Sequence, residues 1–117
     1  MDLRLFDGAY YLGGYAVECA LKACIAKTTR RHEFPEKDKV NRSYSHNLRE
    51  LVRVAGLEDD HASRVKADPK FERFWDTVEI WSEQSRYRRH SARSAEELLT
   101  AVANKQNGVI AWIAPHW

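Results

Sequence analysis

Little in this chain of 117 residues suggests covalent bracing or passage into a membrane. It has two cysteines, Cys19 and Cys24; five residues apart on one predicted helix, they point about 140° away from each other. They cannot pair with each other, which excludes an internal disulfide framework. No apolar run approaches the roughly 18 residues of a membrane span. The N-terminus also lacks the continuous apolar core and small-residue cleavage site of a secretory signal. The expected setting is a reducing cytoplasm, with no membrane partner. Proline occurs three times, at 35, 69 and 115, and no segment alternates apolar and polar residues as a strand or carries a hairpin signal. The five histidines, at 32, 46, 61, 90 and 116, match no zinc-ligand spacing and have no cysteine pair nearby, so neither a metal nor a cofactor is expected. A net charge of +2 does not by itself indicate nucleic acid, so any such case rests on local charge.

What the chain does have is helical periodicity. With 44% hydrophobic and 31% charged residues it suits one globular domain, residues 1–117, with a single modest core. The first helix is expected from Leu3 to Lys27. Its apolar stripe is Phe6, Ala9, Gly13, Ala16, Val17, Ala20, Leu21, Cys24 and Ile25, spaced i, i+3, i+4, i+7. Beside it runs a second stripe, Tyr11, Tyr15, Glu18 and Lys22, in which Glu18 and Lys22 have the favoured i,i+4 order for an ion pair. Gly13 and Gly14 each cost a helix about 1 kcal/mol relative to alanine, which predicts a close contact that compensates.

Pro35 stops continuation, and residues 33–45 read as a loop. Asn47, with Glu50 three residues on, caps a short second helix that ends at Gly56. Residues 58–66 are polar and fit either a loop or extra helix. Asp68-Pro69 opens a third helix whose inner face is Phe71, Phe74, Trp75, Val78 and Trp81. Ser94 and Glu97 form a capping box for a fourth, carried by Leu98, Leu99, Val102, Val109, Ile110 and Ile113 to the C-terminus, with a weak middle from Lys105 to Gly108. The fold class is all-α, a bundle of four main helices. Trp75 and Trp81 belong to its core, whereas Trp112 and Trp117 are harder to bury in so small a monomer and suit a subunit interface.

Two constellations carry chemistry. Between the third and fourth helices, Arg86, Tyr87, Arg88, Arg89, His90 and Arg93 form the densest positive patch, with no acid between Gln84 and Ala95. Arginine presents planar, paired donors that match phosphate, and Tyr87 adds a face for stacking a base. The simpler reading is a solvated basic turn. His90 is suited to acid–base work near neutral pH and Arg86 to stabilising charge on a phosphate, which together outline a metal-independent RNA cleavage. The second constellation is His46-Asn47-Leu48, for which local capping is the favoured role and a polar groove residue the alternative.

The segment AYYLGGYAVECALKA, Ala9 to Ala23, with Tyr15, Glu18, Leu21 and Lys22, comes first in the chain. His46-Asn47-Leu48-x-x-Leu51 follows it, and then Trp81-x-x-x-x-Arg86-Tyr87 before a final helix. In this order and spacing they resemble the HEPN family (higher eukaryotes and prokaryotes nucleotide-binding) over nearly the whole chain. The resemblance implies an up-and-down four-helix bundle that forms a homodimer, with a polar groove at the dimer interface to which Tyr15, Glu18, Lys22 and His46 contribute. It also implies a cytoplasmic prokaryotic setting, often beside a small nucleotidyltransferase in a toxin–antitoxin pair. The chain starts with few residues before the first helix, whose opening turns are short for the family. Many members cleave RNA through an Arg-x(4 to 6)-His motif. Here Arg86 and His90 have three residues between them, and positions 83 to 85 hold neither arginine nor lysine. The favoured expectation is therefore a module that binds RNA, a nucleotide or a partner protein, and the alternative is a metal-independent ribonuclease toxin using Arg86 and His90.

Overall fold

Six α-helices and one 3-10 turn account for most of residues 3–31, 45–84 and 91–117, which the computed structural model describes, and no strand occurs among them. They are α1 (Leu3–Arg31), α2 (Leu48–Val54), α3 (Glu58–Ala67), α4 (Pro69–Gln84), α5 (Ala92–Ala103) and α6 (Val109–Ile113), followed by the 3-10 turn Ala114–His116. The all-α expectation holds. The ambiguous stretch after Gly56 is helical, and the first helix runs past Lys27 to Arg31.

Short-range chemistry sets the ends of these helices. Asn47 caps α2 as expected, its Oδ1 accepting from the Glu50 amide at 3.1 Å. At the other end Gly56 takes φ +77°, a left-handed conformation that glycine adopts without strain. It closes a Schellman motif: its amide bonds Arg53 O and the Leu57 amide bonds Val52 O, both at 3.0 Å. The turn is tight enough for α3 to start at once. Asp68 caps α4 with Pro69 in the first helical position, its Oδ1 accepting from the Lys70 and Phe71 amides, each at 3.1 Å. Its other oxygen takes Asn107 Nδ2 at 2.7 Å and Arg64 Nε at 3.3 Å. The Asn107 bond, then the Phe71 amide, hold the Asp68 carboxyl below its usual range.

Two expectations near the C-terminus need correction. The cap of α5 is Ser91, whose Oγ accepts from the Ser94 amide at 3.1 Å; Ser94 lies inside the helix, and Glu97 pairs with Arg93 at 3.0 Å instead of closing a capping box. The last apolar stretch is not one helix. Asn104 ends α5 by turning its Oδ1 back onto the Gln106 and Asn107 amides, at 3.1 and 2.9 Å. Gly108 then passes so close to the Asn104 backbone that a Cβ there would overlap its carbonyl oxygen.

The break redirects α6. Trp112, expected at a subunit interface, is buried within the chain, and its Nε1 donates to Asp60 Oδ1 at 2.6 Å. It closes an aromatic box with Phe71, Trp75 and His61, in which the His61 and Trp75 ring centroids are 4.3 Å apart. Trp117 is exposed.

Helix α1 is the spine, packed along α5 and touching α2, α4 and α6. Its inner arc is Tyr10, Val17, Ala20, Leu21, Cys24 and Ile25, all buried. Ala16, counted with the apolar stripe, is exposed, because about 100° per residue puts it at the outer edge of that arc. The two glycines have their compensating contacts inside the chain. A Cβ on Gly14 would fall on the Trp81 indole, and one on Gly13 would crowd Leu99 and Leu98 of α5 at 3.1 and 3.3 Å.

Candidate functional site

Glu18 is the one buried charged residue among the described residues, with 1% of its surface exposed. Burial of an unpaired carboxylate costs several kcal/mol, so its partners matter. His46, in the three-residue approach to α2, brings Nδ1 to 2.8 Å from Glu18 Oε1. Lys22, one turn along α1, donates Nζ to Glu18 Oε2 at 3.4 Å. The expected i,i+4 pair thus forms, with a third member from 28 residues away.

The local sequence accounts for this meeting. Ser45 Oγ accepts from the Asn47 amide at 3.0 Å and lies 3.3 Å from Glu50 Oε2, while Asn47 caps the helix. These bonds fix the backbone on both sides of His46, and its neighbour Leu48 is wholly buried. Of the two roles weighed for this segment, capping falls to Asn47 and the contact with the first helix falls to His46.

The cluster has a dry side and a wet side. Glu18 is enclosed, whereas the side chain of His46 is 52% exposed and that of Lys22 32%. With Glu18 ionised, Nδ1–H is the donor and Nε2 is the ring nitrogen left for another partner. Tyr15, one turn before Glu18, is also exposed, and its ring stacks on Tyr11 with centroids 5.9 Å apart. A hydrogen bond with Cys19, and more weakly the charge of Glu18, raise the Tyr15 hydroxyl above its usual value, so it serves as a neutral donor. Lys22 and His46 thus meet on Glu18, and Tyr15 stands one turn before it on the same helix. That set can bind an anion or a polar ring.

The other expected residues divide in two. Arg93 is exposed on the first turn of α5, where its ion pair is with Glu97 on its own helix and not with the Glu18 cluster. Arg86, Tyr87, Arg88, Arg89 and His90 lie outside the described residues. No group of three or more histidine, cysteine or acidic side chains suited to a metal occurs among the described residues, and no helix there is long and apolar enough to cross a membrane.

Lys70, Arg73, Glu96 and Thr100 had no place in the sequence-based expectations, and Phe74 was expected only in the core. Lys70, Arg73 and Phe74 of α4 face Glu96, Glu97 and Thr100 of α5 across an open groove of about 620 Å³. The signal available was the i, i+3, i+4 spacing of Lys70, Arg73 and Phe74, which puts two cations and a ring on one helical face.

No family model, curated protein or solved structure matches this chain.

Proposed function

We propose that the chain is a HEPN-like binding module that acts as a homodimer and retains RNA or a nucleotide through its arginine-rich junction, with the Glu18 cluster forming a wall of the same groove. The observation that carries this reading is the 2.8 Å contact between His46 and Glu18. Two of the three segments on which the resemblance rests are far apart in sequence, and their polar residues meet in one partly exposed cluster, as a working groove requires. In this reading α1, α2, α4 and the α5–α6 pair correspond to the four main helices of an up-and-down bundle.

The outer face of α1 supports the dimer. Leu5, Gly8, Leu12, Ala16, Cys19, Ala23 and Ala26 are all exposed, and the two leucines are 67% and 62% so. They form an uncharged stripe along the helix beside the Tyr15 and Lys22 edge. A second copy seated there would cover the stripe and complete the groove. A small nucleotidyltransferase as a further partner fits the same family reading.

The test is fluorescence anisotropy with labelled single-stranded RNA on the purified full chain. Substituting Arg86, Arg88 and Arg89 together by alanine is expected to abolish retention, as phosphate contacts supply most sequence-independent affinity. Unchanged binding by that variant would overturn the reading.

A further inference from the structure

The groove between α4 and α5 has a division of charge that the proposed function does not use. On its α4 wall, Lys70 and Arg73 are exposed and neither has an ion-pair partner among the described residues. On its α5 wall, Glu96 is exposed and likewise unpaired there, and Glu97 is taken by Arg93. Phe74, half-buried on the same α4 wall, packs against the core and also lines the groove. Cations and a ring on one side and a carboxylate on the other form an asymmetric pattern.

We infer that this groove binds a nucleotide unit of single-stranded RNA whose base carries an exocyclic amino group. The phosphate lies against Lys70 and Arg73, the base stacks on Phe74, and the amino group donates to Glu96. Each part answers to one feature of the site. Unpaired cations recognise phosphate. An aromatic face accepts any base at about 1–3 kcal/mol per base. At the position of the cytosine or adenine amino group uracil presents its O4 carbonyl, which a carboxylate repels, so cytosine and adenine are preferred over uracil; guanine, whose amino group and N1–H both donate, is accepted as well. An acidic peptide fits less well, since its carboxylates offer neither a ring to stack on Phe74 nor a donor for Glu96. The volume of about 620 Å³ suits one or two nucleotides. The inference rests on the RNA-binding reading and adds to it a second contact region with a base preference.

Anisotropy titrations with 5′-labelled 12-mers of cytidine, adenosine and uridine, over a range of KCl concentrations, test it. Wild-type protein is expected to bind the cytidine and adenosine oligomers roughly fivefold or more tighter than the uridine one. Glu96→Gln is expected to reduce that preference, with affinity for the uridine oligomer kept. Lys70→Ala with Arg73→Ala should lower the slope of log affinity against log salt by about 0.7, the value for one neutralised phosphate on a single strand. These are exposed side chains, and circular dichroism verifies that the variants fold. If the double variant keeps wild-type affinity and slope while the junction variant loses binding, the inference fails and the RNA-binding reading stands. If wild-type protein binds none of the three, both fail. Binding of a labelled oligoglutamate that depends on Lys70 and Arg73, in place of RNA, would also overturn it.

Discussion

His46 Nδ1 lies 2.8 Å from Oε1 of Glu18, which joins the approach to α2 to the middle of α1. The contact fastens a half-exposed imidazole to a carboxylate that water does not reach. It therefore serves two ends, orientation of His46 and satisfaction of Glu18.

Removing either partner should expose that double role. His46→Ala leaves Glu18 buried with Lys22 alone and is expected to cost about 1–3 kcal/mol in urea denaturation. Glu18→Gln combined with His46→Ala should cost less than the sum of the two single changes, with a coupling of roughly 0.5–3 kcal/mol. Strict additivity would show that the two side chains do not interact in solution.

The glycines of α1 make an internal comparison. At Gly14 a methyl would overlap the Trp81 indole, so Gly14→Ala is expected to destabilise by about 1–3 kcal/mol despite its better helix propensity. At Gly8 a Cβ would meet nothing within 4 Å, and Gly8→Ala should stabilise by roughly 0.5–1 kcal/mol. Thermal melts of the two variants should move in opposite directions.

Two groups predict how stability responds to acid. Burial in the aromatic box, aided by Arg49, lowers the pKa of His61, while Asp60 and Asp76 oppose it. A depressed folded value means that the unfolded chain takes up the proton first. This contribution is complete above the ordinary histidine value of about 6.5 and is lost as pH falls from there through the folded value. The lowered carboxyl of Asp68 acts in the same sense further down, its contribution present above about 3.9 and lost below. Urea midpoints measured from pH 8 to pH 3 should fall in two steps. His61→Phe should remove the upper one.

The outer stripe of α1 predicts the state of assembly. Sedimentation equilibrium is expected to find a dimer at micromolar concentration, and Leu12→Glu, which puts a charge on a 62% exposed position, a monomer. Because Leu12 makes no part of the core, the variant should keep its helical content. A wild-type monomer would remove the dimer from the proposed function.

Much of the fold is legible in local sequence because its signals are local. Asn47 with Glu50, Gly56, and Asp68 with Pro69 mark their helix ends through groups within four residues, and the structure has them where they were expected. Ser91 and Ser94 show the limit of such signals. Two serines three apart both fit a cap, and the choice between them depends on where the chain arrives from. Trp112 shows another limit, since its burial depends on the turn at Asn104 and on Asp60, which is 52 residues away. In the site, periodicity gives the neighbourhood of Tyr15, Glu18 and Lys22 but assigns Glu18 to the polar face. Only the return of the chain at His46 makes burial of that carboxylate tolerable, and no spacing rule reaches across 28 residues. The groove along α4 and α5 was missed for a related reason. Charges on two helices form a pattern only once the helices are paired.

The packing of Trp81 over Gly14 has an optical consequence. This indole is almost fully buried, its Nε1 has no hydrogen-bond partner among the described residues, and Tyr11 lies 6.3 Å away, close enough to pass excitation energy to it. An indole so dry emits towards the blue. Trp81 stands three residues before the end of α4, beyond which the arginine-rich junction begins. The chain thus carries its own fluorophore beside the segment proposed to meet RNA, sensitive to any shift of α4 against α1.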